Sequence, residues 1–302
     1  MAGTSQATTQ SRERKPDMSP EDIETHEKFA PALRRQAEAL LAMHEADPRS
    51  SAVFATQQSW LLAHLALSMY FLSRTVGRSE DFRLTSFLAS VAAHGIASRN
   101  TADAFIKGMQ NYGYLEAAPG SADRRIRPLV ATAAALRPFE AWLMVHLTTL
   151  DALDGSDRLP RLSARPEGIS YIQPQIAEGL LRSAAVREPA PTFSLFTWLN
   201  EGGFMMDWIY AGLGEVAPGA ELRPTTVTSY ADFSSRIRLS KSHLARKLRA
   251  AEDMGSLTWA GVRGASAMSV STRFVREYHA QQAAKLGVID DAFAYAADHG
   301  RV

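Results

Sequence analysis

Apolar residues recur along most of this chain at the three- and four-residue spacing that is typical of helices. Phe29, Leu33 and Ala37, for example, fall on one face of a predicted helix. Ser19 is a suitable cap for the start of this helix, and Pro48 should end it. Further helices are predicted at about 51–74, 84–94, 98–112, 138–150, 174–186, 193–213, 227–236, 240–254, 273–285 and 290–298. The pattern therefore predicts a mainly α protein with long flanking helices.

Strands are predicted in two short hairpins. The first hairpin pairs 114–117 with 125–130, and the second lies around 259–270. Each hairpin follows a pair of predicted helices joined by a short turn. The second helix of the pair covers 98–112 in one case and 240–254 in the other. Two helices followed by a small β-hairpin wing are the order of a winged helix-turn-helix.

The two winged units resemble each other in sequence. Leu84-Thr-Ser-Phe87 corresponds to Val227-Thr-Ser-Tyr230, and Tyr112-Gly-Tyr-Leu115 corresponds to Met254-Gly-Ser-Leu257. The offset is 143 residues at the start and 142 at the end, so one residue is dropped between. This spacing indicates tandem copies of one domain.

The repeat divides the chain into four predicted parts. Residues 1–19 form a polar tail that we expect to be disordered, and 20–150 form the first winged-helix domain with its N-terminal helices. Residues 151–192 are rich in Pro, Gly, Arg and Ser and resemble a connector with one short helix. Residues 193–302 form the second winged-helix domain.

The composition and hydropathy of the chain indicate its cellular compartment. The 302 residues include no cysteine, which excludes disulfides and thiolate-ligated metals. The N-terminus lacks the apolar core of a signal peptide, and the most apolar run, 60–72, is too short to cross a bilayer. We therefore expect a cytoplasmic protein that does not enter a membrane.

Positive charge is concentrated on the two winged units, although the net charge is only +1. Residues 83–128 contain six basic and three acidic side chains, and residues 227–276 contain nine basic and three acidic. Acidic residues collect instead near the N-terminus. Local positive charge of this kind suits a polyanionic partner such as DNA.

Motifs of catalysis are missing from the sequence. Gly212-Leu-Gly214 lacks the third glycine of a dinucleotide-binding loop, and no Walker loop or nucleophile elbow is present. The eight histidines show no metal-ligand spacing, and His64 and His94 are interpreted as core or turn residues. We expect no enzyme activity, no cofactor and no bound metal.

The first predicted recognition helix carries side chains suited to DNA. Ser98 can cap it, so that its free backbone N–H groups face a phosphate. Arg99, Asn100 and Thr101 occupy its first turn, where arginine can read guanine and asparagine can read adenine. Lys107 lies two turns further on, in a position suited to a phosphate.

The second predicted recognition helix is more basic, which favours contacts with the DNA backbone over discrimination between bases. Ser240 is its predicted cap. Its candidate DNA-binding side chains are Lys241, Ser242, His243, Arg246, Lys247 and Arg249.

The first wing, 119–130, completes the predicted interface with Arg124, Arg125 and Arg127. The run from Asp123 to Thr132 resembles the wing of MarR-family transcription regulators, as does the preceding Gly113-Tyr-Leu115. This resemblance implies that Arg124 or Arg125 enters the minor groove while Asp123 steadies an arginine. The second hairpin has a single Arg263 and no Asp-Arg pair, so it departs from the family pattern.

These features together predict a transcription regulator that binds double-stranded DNA sequence-specifically. The alternative is a winged-helix adaptor that binds another protein and has no affinity for DNA. The MarR resemblance also implies a small-molecule effector between the long helices and the reading units. Because the family works as dimers, both a homodimer and an internal pseudo-dimer remain open. An apolar stripe including Trp198, Phe204 and Met206 could line an effector pocket, but helical spacing favours core or an oligomer surface.

Overall fold

The computed structural model describes residues 18–48, 56–75, 81–118, 127–197, 201–215, 219–234 and 240–302. The described residues are mainly helical with small antiparallel sheets, which confirms the predicted fold class at this coarse level. In the N-terminal half the helices are α1 (Pro20–Thr25), α2 (Phe29–Ala46), α3 (Gln57–Ser73), α4 (Leu84–His94), α5 (Arg99–Asn111) and α6 (Ala133–Asp154). Strands β1 (Leu115–Ala117) and β2 (Leu129–Ala131) pair antiparallel between α5 and α6.

The C-terminal half adds further helices and a second sheet. Its helices are α7 (Arg158–Ala164), α8 (Ile169–Arg182), α9 (Ala184–Arg187), α10 (Pro191–Thr197), α11 (Gly202–Ala211), α12 (Tyr230–Ser234), α13 (Lys241–Asp253) and α14 (Thr272–Asp298), with a 3₁₀ turn at Pro166–Gly168. Strands β3 (Leu222–Pro224), β4 (Leu257–Trp259) and β5 (Met268–Ser271) form an antiparallel sheet in the order β3-β5-β4. The sequence did not predict β3, because its exposed residues and terminal proline give no strand pattern.

The first predicted helix begins at the expected cap and is then interrupted. Ser19 Oγ accepts a hydrogen bond from the Asp22 N–H at 3.1 Å, and the Asp22 carboxylate accepts one from the Ser19 N–H at 3.1 Å. The helix stops at Thr25 and resumes at Phe29. Phe29 lies six positions after Ile23, so an unbroken helix would point the two side chains in different directions. The interruption allows both side chains to be buried.

Two other predicted helices have different boundaries in the structure, where tertiary packing also acts. The predicted helix at 193–213 is described as two, α10 and α11, and Glu201 before α11 has a left-handed backbone with φ of 61°. The predicted break between 285 and 290 does not occur, since α14 is continuous. Leu286 and Ile289 are fully buried there, so packing holds the helix through this stretch.

Helix α8 lies within the segment predicted to be a connector, and it is buried between other helices. It begins at Ile169 rather than Pro174, and its Ile172, Ile176 and Leu180 are fully buried. It packs against α3 from the N-terminal half and α14 from the C-terminal half. Gly179 makes the second contact close, because a Cβ there would lie 2.6 Å from Val288 Cγ1. The two halves therefore share one continuous hydrophobic core.

A buried ion cluster also joins the halves. The guanidinium of Arg158, at the start of α7, lies 2.7 Å from Asp290 of α14. The same group lies 3.0 Å from Asp154 and 3.3 Å from Asp151, both in α6. Arg158 therefore ties α6 to α14 inside the protein. Among the described helices, none has the combination of length and hydropathy needed to cross a bilayer.

Candidate nucleic-acid interface

Helix α5 presents the predicted reading residues at its exposed N-terminal turn. Ser98 caps the helix, and its Oγ accepts a hydrogen bond from the Thr101 N–H at 3.2 Å. Arg99 and Asn100 are exposed, as are Ser98 and Thr101. The opposite face is buried through Ala102, Ile106 and Met109. One face of α5 is therefore fixed in the protein while the first turn is accessible.

Lys107 pairs with an acidic side chain on the same helix. Its ammonium lies 2.6 Å from the Asp103 carboxylate, one turn earlier on α5. The pair is exposed to solvent, so its net stabilising effect is small. Asp103 nevertheless offsets the positive charge that Lys107 would offer to a phosphate.

Helix α13 has the same arrangement with more positive charge. Ser240 caps it, and the Ser240 Oγ accepts a hydrogen bond from the His243 N–H at 3.3 Å. Lys241, Ser242, Arg246 and Arg249 are exposed, while His243 and Lys247 are partly exposed. Within the described part of the chain, no acidic side chain forms an ion pair with Lys241, Arg246 or Arg249. This face of α13 is therefore more strongly cationic than that of α5.

The sequence repeat corresponds to a repeat of structure. A shift of 142 residues carries Arg99–Asn111 onto Lys241–Asp253, so the two helices have the same length and the same serine cap. The shift also carries Gly113 onto Gly255, whose φ angles are 74° and 69°. This left-handed conformation favours glycine and turns the chain from each helix into its strand.

The buried positions of the two helices follow the same shift. Ala102, Ile106 and Met109 of α5 correspond to Leu244, Leu248 and Ala251 of α13, and all six are buried. The strand residues Leu115 and Leu257, which are also buried, correspond as well.

The hairpins are less alike than the helices. In the first, Arg127 is partly exposed just before β2, whereas Arg124 and Arg125 lie outside the described residues. In the second, Arg263 forms an ion pair with Glu252 of α13 at 2.5 Å. Arg263 is thus paired with the helix of the same winged unit, while Val262 beside it is 73% exposed.

A large cavity lies between the two halves. Its volume is about 820 Å³, and α2, α3, α6, α11 and α14 contribute to its wall. Its wall is mainly apolar and aromatic; the aromatic residues are Trp60, Tyr112, Tyr114, Phe139, Trp142, Phe193, Phe204 and Tyr278. Phe204 and Met206 of the predicted apolar stripe line it, whereas Trp198 lies outside the described residues.

Ionisable groups also line this cavity, and the sequence reasoning missed most of them. Burial lowers the pKa of the Lys285 ammonium to about 8, while the charge of Asp207 acts in the opposite direction. Burial raises the pKa of Asp207 to about 6, and the Tyr278 hydroxyl donates a 2.5 Å hydrogen bond to Asp207 Oδ1. Burial, together with the charge of Lys285, lowers the pKa of His64 to about 3. At neutral pH the cavity therefore holds a charged lysine and a neutral histidine.

The sequence does contain a signal for these ionisable groups, namely a lysine within the apolar face of α14. Lys285 lies between the buried residues Ala284 and Leu286, and it follows Tyr278 by two helical turns. Lysine side chains often lie along an apolar surface with the ammonium group in water, so sequence alone did not single out Lys285.

Comparison with known proteins found no matching family model, no similar curated protein and no similar solved structure.

Proposed function

We propose that the protein is a transcription regulator that binds duplex DNA through two winged helix-turn-helix units. One observation carries this proposal: α5 and α13 are equal in length, repeat after 142 residues, and each exposes a polar, serine-capped first turn. The major groove admits one α-helix, and helix-turn-helix proteins read bases from the N-terminal residues of that helix. The MarR-like wing sequence from Asp123 to Thr132 supports the same assignment.

The two helices differ in the work we assign to them. Helix α5 offers Arg99 and Asn100, which can form paired hydrogen bonds with guanine and adenine. Helix α13 offers Lys241, Arg246 and Arg249, which suit phosphates and carry little sequence information. In this proposal α5 selects the site and α13 supplies affinity.

The shared core favours an internal pseudo-dimer. The first unit packs against α3 and the second against α10 and α14, and both α3 and α14 pack against α8 within one chain. A single chain can therefore present two reading helices, as two subunits do in dimeric regulators.

The decisive experiment measures the affinity for duplex DNA as a function of salt. Replacing Lys241, Arg246 and Arg249 together by alanine should reduce the slope of log K against log salt by roughly three, since each phosphate contact contributes about 0.9. The matched control replaces Lys28, Arg165 and Arg182, which are exposed on other elements. This control should leave the slope nearly unchanged.

Two results would contradict the proposal. One is the absence of DNA binding at low salt, which would favour the protein-binding adaptor. The other is an equal loss of slope in the triple variant and its control, which would indicate charge attraction without a specific surface. If the slope falls as expected, selection of bound fragments from a random DNA pool would define the preferred sequence.

A further inference from the structure

The turn between α4 and α5 is held by side chains from outside this helix pair. The Gln58 amide of α3 donates a hydrogen bond to the Ile96 carbonyl oxygen at 3.0 Å. The Arg187 guanidinium of α9 donates one to the Gly95 carbonyl oxygen at 3.3 Å. Both carbonyls come just before Ser98, which caps α5. The two bonds therefore act directly in front of the helix that we propose reads DNA.

The conformation of the turn gives both contacts a physical role. Gly95 ends α4 in the left-handed conformation, with φ of 59°, so the chain changes direction there. The bond from Gln58 is partly buried, so its loss would leave a carbonyl oxygen without its partner. The guanidinium of Arg187 lies at the C-terminal end of α4, where the helix dipole favours a cation. Each contact thus stabilises the turn in one position.

Arg187 is itself fixed by the C-terminal half of the chain. Its guanidinium also donates to the Leu181 carbonyl oxygen of α8 at 3.5 Å, and α9 packs against both α8 and α14. The neighbouring Val186 is buried, and its carbonyl oxygen accepts a 2.5 Å hydrogen bond from the Gln57 amide of α3. Arg187 therefore connects the first winged unit to helices of the other half.

We propose that Gln58 and Arg187 are positioning residues for base reading by α5, and that Arg187 makes this reading depend on the C-terminal half. The inference rests on the proposed DNA binding. Side chains that recognise a partner must be held to within about 0.5 Å, which requires supporting contacts around them. Arg99 and Asn100 follow directly after the turn that these two residues hold. Neither positioning residue contacts DNA in this arrangement.

Two other roles for Arg187 predict different results. Because Arg187 is partly exposed, it could instead contact a DNA phosphate. Such a contact contributes about 0.9 to the salt slope, whereas a positioning residue leaves the slope unchanged. A purely structural role would weaken the whole fold and would affect α13 as much as α5. The repeat allows this comparison, because the Thr101 and His243 N–H groups donate to equivalent serine caps.

The first experiment uses the full chain without DNA and measures amide hydrogen exchange by NMR. Arg187→Met and Gln58→Leu each remove one hydrogen bond to the turn. Each variant should speed exchange of the Thr101 and Ala102 amides about two- to tenfold, the factor expected when one hydrogen bond is lost.

The controls for this experiment come from the same chain. The His243 and Leu244 amides occupy the equivalent positions of α13, and their exchange should be unchanged. Arg165→Met removes a similar exposed arginine bond, to the Gly300 carbonyl oxygen, and should not affect α5. Unchanged exchange in α5 in both test variants, or equal acceleration in α5 and α13, would overturn the proposal.

The second experiment measures affinity for the selected DNA site and for its single-base variants. Arg187→Met should reduce discrimination at the bases read by α5 about two- to tenfold and leave the salt slope unchanged. A slope lowered by about 0.9 would show that Arg187 contacts a phosphate itself, which would overturn the proposal, as would unchanged discrimination. Absence of all DNA binding would reject the proposed function, whereas the exchange experiment separately decides whether Gln58 and Arg187 hold α5.

Discussion

A small number of side chains at the start of α5 determine what the proposed reading surface can recognise. Ser98 fixes the backbone there, while Arg99 and Asn100 extend from it into solvent. These roles were predictable from sequence because capping and exposure of a first turn depend on local residues. Lys285 and Asp207 were not predictable as a pair, since their proximity requires α11 and α14 to meet.

Asn100→Ala should relax base preference at one position of the preferred DNA site. A bidentate contact between asparagine and adenine contributes about 1–3 kcal/mol of discrimination. The measurement is relative affinity for a panel of single-base variants of the selected site. Gln110→Ala, exposed near the other end of α5, is the control and should leave the panel unchanged. An equal loss of affinity across all base variants would contradict base reading by Asn100.

Asp103→Asn should strengthen DNA binding by releasing Lys107. The substitution removes the carboxylate that lies 2.6 Å from the lysine ammonium while preserving side-chain shape. One extra phosphate contact would raise the salt slope by about 0.9. Lys107→Ala provides the matched background, in which Asp103→Asn should produce a much smaller gain. A gain of the same size in both backgrounds would show that Lys107 is not the group released.

At the scale of elements, local signals and packing each determined part of the outcome. The serine caps placed the starts of α5 and α13, and the glycines at 113 and 255 placed the turns that follow. Contacts between segments that are distant in sequence determined the elements that local signals did not predict. Strand β3 exists because Leu222–Pro224 lies beside β5, and α14 remains continuous because its midpoint is buried.

Arg158→Met should lower the free energy of unfolding by about 3–5 kcal/mol. The substitution leaves Asp151, Asp154 and Asp290 together without the buried cation, and breaking a buried ion pair from one side costs about this much. Urea denaturation monitored by circular dichroism would measure the change.

The matched control is Arg182→Met. Arg182 pairs with Glu178 at the surface, where its side chain is 77% exposed, so the loss should be below about 1 kcal/mol. Equal stability of the two variants would show that the Arg158 cluster does not hold α6 and α14 together.

The whole molecule is organised around helices shared by the two halves. The cavity lies between these halves, and Tyr112 at the end of α5 is part of its wall. Tyr112 and Tyr114, which follow α5, therefore connect the cavity wall to the proposed reading helix.

The protein should lose stability as the pH falls from 7 to 5. Burial lowers the pKa of His64 to about 3 and of His279 to about 4, and it also lowers that of His146. Between these values and 6.5 the unfolded chain binds more protons, so unfolding becomes easier as the pH falls. Asp207, with a pKa raised to about 6, opposes this because the folded state then binds its proton.

Each neutral buried histidine should contribute about 1–2 kcal/mol to this loss, with Asp207 returning about 1 kcal/mol. Urea midpoints at pH 7 and pH 5 would measure the difference. His146→Phe keeps a ring in the fully buried position. This variant should lose less stability between pH 7 and pH 5, by the amount that one histidine contributes. Equal stability at both pH values would contradict the neutral burial of these histidines.

The sequence by itself determined the mainly helical class, the caps of both proposed reading helices and the 142-residue repeat that relates them. Periodicity and capping depend on residues that are close along the chain, and the repeat can be recognised by comparing two stretches of sequence. None of these features requires knowledge of which segments come into contact. Tertiary structure decided that the supposed connector supplies a helix buried between other helices, that Arg158 gathers three carboxylates, and that Lys285 faces an aromatic cavity. Each of these depends on contact between segments far apart in sequence, where burial and charge are set by what folding brings together.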